Sequence, residues 1–399
     1  MGIHWKLNIL GMKFFEKYFK GDRVIWIVVL FLAIISLLAV YSSTGSLAYR
    51  YQEGDTAHYL FSQLRHFLFG LVIIFVVHLI PYKFYSPLST FLLLFSIPLL
   101  LVTLLFGANL NQASRWLVLP GLDITIQSSD IAKVALVMYV ARILSRNQNT
   151  IKDFKGTFLP LIVPVSLVCL LILPANFSTA ALVGLTCWLM MFVGRVSLKY
   201  LFGFTGLGVL LIAVFVVVML KTGSVSRVGT WQNRIENFMS DDGGDGNYQA
   251  VQSKIAIASG GLVGKGPGNS TQRNFLPHPY SDFIFAIVVE EYGLIGGTFV
   301  LMLYLIMLFR AGLIIKKAKR TFPAFLAMGL ALILVLQAMV NMSVAVNLIP
   351  VTGQPLPLVS MGGTSLLITS ASIGIILSIS RTLNKNELFD GEEEGKDNS

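Results

Sequence analysis

Residues 24–43 read VIWIVVLFLAIISLLAVYSS and carry no charged side chain. The hydrocarbon core of a bilayer is about 30 Å thick and takes roughly 20 apolar residues of helix to cross. This stretch meets that length, and it is too long, and too plainly without a small-residue cleavage site, to be a removable leader. It reads as a membrane anchor. Ahead of it lie Lys6, Lys13, Lys17, Lys20 and Arg23, cations of the kind that stay on the cytoplasmic side of a first span.

Working outward, the same signal recurs. Apolar residues make up 55% of the 399, only 13% are charged, and the mean hydropathy is +0.74. No water-facing surface tolerates that balance. Further apolar runs fall at 65–82, 86–106, 129–145, 158–174, 178–194, 201–220, 282–309, 324–346 and 363–381. The expected fold class is therefore all-α: a polytopic integral membrane protein with about ten transmembrane helices and a large extracytoplasmic loop. Residues 1–23 form a cytoplasmic segment, 24–381 the transmembrane domain with the loop at 221–281, and 382–399 an acidic cytoplasmic tail expected to be disordered.

Alternating from an inside N-terminus places Lys83, then Arg146, Lys152 and Lys155, then Arg195 and Lys199, then Arg310 through Arg320 in cytoplasmic loops. Both termini are expected in the cytoplasm. The net charge of +10 is thereby topology, and nucleic-acid binding is not implied. Cys169 and Cys187 lie within apolar runs and read as small hydrophobes, not as a metal site or a disulfide. The five His show no metal-ligand spacing with Cys.

The long breaks fall on the external side, at 107–128, 175–177, 221–281 and 347–362. A break as long as 221–281 exceeds what chain connection needs. Within it residues 243–246 read as flexible, and QAVQSKIAIA at 249–258 has the spacing of a short amphipathic helix on the membrane surface. The following GGLVGKGPG invites a phosphate-loop reading that fails: Ser259 stands where that pattern needs Gly, and Gly266 follows Lys265 where it needs Ser or Thr. These glycines are expected to allow tight turns instead.

Asp282 follows Pro277, Pro279 and a candidate N-cap, Ser281, at the start of an apolar helix. It is either a helix-dipole acid in the first turn or a general base at the membrane boundary. Glu290 and Glu291 lie about two turns further in, where an acid is costly unless paired or wet. Arg115 and Trp116 sit in the first long break. Asp130 and Lys133, spaced i, i+3, share a helical face, either as a structural ion pair or as the wall of a polar cavity for an anionic head group. The segment 347–365, rich in Pro and Gly, is expected to form a re-entrant or capping loop, since irregular backbone at membrane depth must be buried or line a cavity.

In order along the chain, ASRWL with IQSSDIAK, LPANFSTA, YQAVQSKIAIASGGLVGKGPG, FLPHPYSDFIFA with VVEEYGLIG, and LIPVTGQPLPLVSMGGTS together resemble the SEDS family of bacterial cell-wall proteins, the FtsW/RodA/SpoVE group. The match covers nearly the whole chain. The resemblance implies a ten-helix peptidoglycan glycosyltransferase of the bacterial cytoplasmic membrane that polymerises lipid II, with Asp282 as catalytic residue. It also implies substrate-binding roles for Arg115, Trp116, Asp130, Lys133 and Gln272. Lys265 and Arg273 join Arg115 and Lys133 as cations able to offset pyrophosphate charge, with a divalent ion (Mg or Mn) as an admissible helper and no other cofactor. The expected partners are a class B penicillin-binding transpeptidase and other divisome membrane proteins.

The chain departs from the family pattern in three places. Ser128, Ser129 and Asp130 replace Pro-Ser-Glu, Asn176 stands for an acid, and His278 occupies a position where Glu is common. No catalytic role is carried to Asn176. Asn347 before LIPVTG and the acidic tail suggest the division type, with an elongation role as the alternative. A lipid II flippase and a non-catalytic scaffold are the rival functions; the position of Asp282 at one face, away from the midplane, and the lack of an inverted repeat in the hydropathy speak against the first.

Overall fold

The structure is a computed structural model that describes residues 20–45, 47, 49, 55–110, 113–119, 124–222 and 248–397. The expectations for residues 1–19, for the flexible stretch 243–246 and for most of the first half of the 221–281 loop lie outside the described residues.

Each apolar run lies on a helix. In chain order these are α1 (Arg23–Ser43), α2 (Thr56–Leu79), α3 (Tyr85–Phe106), α4 (Ser128–Arg146), α5 (Leu159–Ile172), α6 (Phe177–Val193) and α7 (Leu198–Thr222). After them come α8 (Tyr248–Gly260), α9 (Ile284–Lys317), α10 (Thr321–Ala345) and α11 (Thr364–Asp397). Among the described residues seven helices are long and apolar enough to cross a membrane: α1, α2, Tyr82–Phe106 (α3 with the turn before it), Phe154–Ile172 (α5 with the turn before it), α9, α10 and the Thr364–Leu383 part of α11. Phe177–Val193 and Leu198–Leu210 are shorter apolar helices. The 19 residues of α4 carry Asp130, Lys133, Arg142 and Arg146.

Local chemistry sets the helix starts. Asp22 caps α1, its Oδ1 accepting from the Val24 and Ile25 amides at 2.9 and 3.3 Å, and Asp55 does the same for α2 through Ala57 and His58. The second apolar run thus begins about two and a half turns after its helix does, because hydropathy registers the greasy middle and not the polar turns that lead into it. Asn176 caps α6 by accepting from the Thr179 amide. The last helix continues to Asp397, through a segment whose Glu and Lys are good helix formers.

The first external break is not simply loop. It forms an antiparallel sheet of β1 (Ala108–Leu110), β2 (Ala113–Leu119) and β3 (Ile124–Gln127), in the order β1-β2-β3. Trp116 pairs with Ala108 on one side and Gln127 on the other. The runs RWLVL and ITIQ around Pro120 and Gly121 carry the aromatic and β-branched residues of a hairpin.

Helices α4 and α10 form the centre of the bundle. Helix α10 packs against α9, α4, α6 and α11, and α2 lies along α11. Small residues permit the approach: a Cβ at Gly329 would come within 2.6 Å of Met190 on α6 and Val137 on α4. Helices α2 and α3 turn Phe69, Val72, Phe91 and Leu94 outward, each more than half exposed, as a lipid-facing surface requires. Cys169 and Cys187 are free thiols.

Candidate active site

Asp282 does not lie in the first turn of a helix. Helix α9 begins at Ile284 with Phe283 at the cap position and no side-chain cap bond, and Ser281 is no N-cap; its hydroxyl donates to Asp282 Oδ1 at 3.0 Å. The two prolines explain this. Pro277 and Pro279 keep their neighbours out of the helical region, and His278 between them takes a positive φ of 54°, so regular helix starts only beyond the aspartate.

What holds Asp282 is its backbone. The Tyr280 carbonyl accepts from the Met361 amide at 2.9 Å, the Ser281 carbonyl from the Ser360 hydroxyl at 2.6 Å, and the Asp282 carbonyl from Asn341 Nδ2 at 2.9 Å. Three successive carbonyls are thus tied to α10 and to the segment between α10 and α11. The Asp282 side chain is half-buried.

That segment, 346–363, is irregular, and its middle, residues 354–360, is largely buried. The Gln354 carbonyl accepts from Asn341, the Pro355 carbonyl from Gln337, the Pro357 carbonyl from the Tyr304 hydroxyl, and the Val359 carbonyl from Ser36 at 2.8 Å. Side chains of α1, α9 and α10 satisfy the groups that the prolines and glycines withdraw from helix, which is the condition for such backbone inside a bundle.

Asp130 and Lys133 join the same framework from α4. Their side chains form an ion pair at 2.8 Å with each about 5% exposed, and Lys133 Nζ also donates to Gln337 Oε1 at 3.0 Å. Gln337 and Asn341 are one turn apart on α10. The pair is thereby linked to the Asp282 backbone through two amide side chains and the carbonyls of Gln354 and Pro355. Neither amide was picked out from the sequence; two polar residues four apart within an apolar helix were the available signal.

Lys265, Gln272 and Arg273 belong to a second cluster. Lys265 Nζ pairs with Glu290 at 2.6 Å, with Glu290 fully buried. Glu290 also accepts from Ser270, Thr271 and the Gln272 amide. Glu291 accepts from Ser42 and from the Ser270 amide. Arg273 donates to the carbonyls of Ser42 and Gly268 at 3.1 and 2.9 Å. Gln272 Oε1 is buried with no hydrogen-bond partner among the described residues. The two glutamates thus hold the glycine-rich loop.

That loop fills a break in α9. Gly293 has φ 68° and ψ −171°, so the amides of Leu294 and Ile295 leave the carbonyls of Glu290 and Glu291. The loop replaces both sides of the lost pairs: Lys265 and Gly266 amides donate to the Glu290 and Glu291 carbonyls at 3.0 and 2.9 Å, and the Leu294 and Ile295 amides donate to the Gly261 and Leu262 carbonyls at 2.9 and 3.3 Å. Backbone comes so close that a Cβ on Gly264 would lie 2.2 Å from the Glu291 oxygen, and one on Gly293 2.2 Å from the Leu262 oxygen. Helix α8, the amphipathic helix expected at 249–258, leads into this loop and is itself anchored, with Ser253 donating to the Ala345 carbonyl at 2.6 Å.

Trp116 is half-buried in β2, and the Arg115 side chain lies outside the described residues. The sheet is joined to the start of α11, where Thr364 donates to the Thr125 carbonyl. Among the described residues no group of three His, Cys, Asp or Glu side chains is placed to hold a metal ion.

The geometry defines a class: a multi-pass membrane protein whose helices, broken at one end, hold a half-buried carboxylate on a rigid backbone platform. The chain belongs to the FTSW_RODA_SPOVE family, described as cell cycle protein, which matches residues 22–385. It is 32% identical over 380 residues to the probable peptidoglycan glycosyltransferase FtsW of Geobacter sulfurreducens, covering 94% of this chain and 98% of that protein. To the stage V sporulation protein E of Bacillus subtilis it is 32% identical, covering 92% and 98%, and to the peptidoglycan glycosyltransferase MrdB of Escherichia coli K12 33%, covering 90% and 93%. Among solved structures, a chain of a peptidoglycan synthase complex that coordinates polymerization and crosslinking superposes with a TM-score of 0.66 at 25% identity, covering 91% and 98%. The rod-shape-determining protein RodA of Thermus thermophilus gives 0.65 at 23%, covering 90% and 97%, and so shares the fold.

Proposed function

We propose that this chain, a glycosyltransferase by family, polymerises lipid II into glycan strands at the outer face of the bacterial cytoplasmic membrane, with about ten spans and both termini in the cytoplasm. The observation that carries the reading is the platform under Asp282, whose three successive carbonyls are each fixed while the carboxylate stays half-buried. Positioning of this kind is what a general base needs.

In the reaction, Asp282 accepts the proton of the acceptor sugar's 4-hydroxyl as that oxygen bonds to the donor's anomeric carbon. The bond from that carbon to undecaprenyl pyrophosphate breaks on the opposite face, and the configuration inverts. Asp130 and Lys133, buried and paired, serve by positioning Gln337. Lys265, Arg273 and Gln272 of the glycine-rich loop, with Arg115 and Trp116 of the first external break, are the further groups assigned to the substrate, the cations among them offsetting the charge on the leaving pyrophosphate. A divalent ion, where present, would arrive on that pyrophosphate, since phosphate oxygens and water suit Mg without a protein cage.

The septal assignment rests on Asn347 and the acidic tail, and a class B transpeptidase and divisome proteins are the partners that go with it. The likeness to a chain from a synthase complex supports such a partner. The test uses purified protein in liposomes with lipid II added outside. Strand elongation that Asp282→Asn abolishes supports the enzyme; lipid II translocation without polymer, unaffected by that change, overturns it.

A further inference from the structure

Helices α1 and α2 reach the Asp282 platform through a line of hydrogen bonds. Ser36 sits inside α1 and Gln63 inside α2, with exposures of 0% and 1%. Other buried hydroxyls of the bundle turn back onto their own helix: Ser96 donates to the Leu93 carbonyl, Thr103 to that of Leu99 and Thr186 to that of Leu182. Ser36 instead reaches across to the Val359 carbonyl at 2.8 Å, and Gln63 Nε2 donates to Ser36 Oγ at 3.0 Å. The orientation of that amide follows from the hydroxyl. Ser36 has one hydrogen, already given to Val359, so the group facing its oxygen has to donate. Gln63 Oε1 is left buried with no partner, so the amide is set to serve Ser36 and not to complete its own pairing.

We propose that Ser36 and Gln63 are positioning residues for Asp282, setting its carboxylate through residues 358–361; the inference rests on Asp282 being the general base. The Leu358 backbone has a φ of 63°, which disfavours any residue with a Cβ, and the side chain is 4% exposed. Such a conformation persists where its surroundings over-determine it. Here the carbonyls on both sides are pinned, that of Pro357 by the Tyr304 hydroxyl and that of Val359 by Ser36. The next two residues carry the platform. Ser360 Oγ accepts from the Leu356 amide at 2.8 Å and donates to the Ser281 carbonyl at 2.6 Å, and the Met361 amide donates to the Tyr280 carbonyl at 2.9 Å. With the Val359 carbonyl released, Leu358 relaxes toward negative φ, and Ser360 and Met361 move with it. The base then meets the acceptor sugar's hydroxyl from a displaced position, which slows proton transfer and leaves substrate binding unaltered.

The test is steady-state polymerisation by the full chain in liposomes, with lipid II added outside, measured alongside Tm. Ser36→Ala is expected to lower kcat about fivefold or more with KM within about twofold of wild type. Gln63→Met keeps the volume and removes the donor; it lowers kcat less, and the double variant falls no further than Ser36→Ala, since the amide acts only through that hydroxyl. Ser378→Ala is the control. Its buried hydroxyl makes a similar long-range bond, to the Ile80 carbonyl between α2 and α3, so this change lowers Tm and keeps kcat. Should Ser36→Ala not fold, Gln63→Met alone is read the same way. A kcat unchanged by Ser36→Ala, an equal fall in Ser378→Ala, a loss confined to KM, or additive losses in the double variant would each overturn the positioning pair while Asp282→Asn stays inactive. Polymerisation retained by Asp282→Asn would instead overturn the base itself, and the pair with it.

Discussion

Replacing Asp282 by Asn keeps the shape of the side chain and the three bonds beneath it while removing the proton acceptor. Polymerisation of lipid II is expected to fall about 10²–10⁴-fold with an unchanged Tm. Asn341 gives the opposite pattern. Its amide spans the Asp282 and Gln354 carbonyls, so Asn341→Ala leaves two buried acceptors short of a donor, each costing about 1–3 kcal/mol. A lower Tm is expected together with a fall in kcat at nearly constant KM, because the base is misplaced and not lost. A fall in KM-dependent binding alone would show that Asn341 touches substrate. The buried pair invites a third measurement. Lys133→Met strands Asp130 without its partner and should destabilise by about 3–5 kcal/mol, whereas Asp130→Leu/Lys133→Met should cost much less; a denaturation cycle with equal losses would refute the pairing as the reason for burial.

At the scale of elements, the glycine loop and α9 are one structure in two pieces. Gly264→Ala or Gly293→Ala drives a methyl into backbone oxygen at 2.2 Å, in a conformation that already disfavours a side chain, so a loss of at least about 2 kcal/mol is expected. Gly261→Ala, with open space around its Cβ but a φ of 55°, should cost about 1 kcal/mol. Thermal unfolding in detergent ranks them. Much of this level was legible in the sequence: apolar runs located the helices, and the prolines and glycines at 347–365 marked an irregular segment. The rest was hidden for identifiable reasons. Hydropathy measures side chains, while the break at Gly293 is a backbone event inside a segment that reads as one apolar run. The sheet escaped because its strands are short and sit between helices. The acids Glu290 and Glu291 were recognised as costly, but which loop they hold depends on contacts across about twenty residues of chain.

For the whole molecule, the proposed topology puts the 146–158 connection and α8 on opposite sides of the bilayer. Lys155 and Tyr248 are both exposed. A Lys155→Cys variant in intact cells should resist a membrane-impermeant thiol reagent, and Tyr248→Cys should react; the reverse result would invert the orientation. The order of synthesis adds a constraint of another kind. Residues 261–266 leave the ribosome before the helix they complete. With Gly293 in its native conformation, the carbonyls of Glu290 and Glu291 and the amides of Leu294 and Ile295 bond only to that loop, and each such group left unpaired in hydrocarbon costs several kcal/mol. The native form of this span is therefore expected to be reached by loop and helix jointly, as a paired hairpin. A truncated nascent chain ending inside α9 would be expected to linger at the insertion machinery and not to partition into lipid.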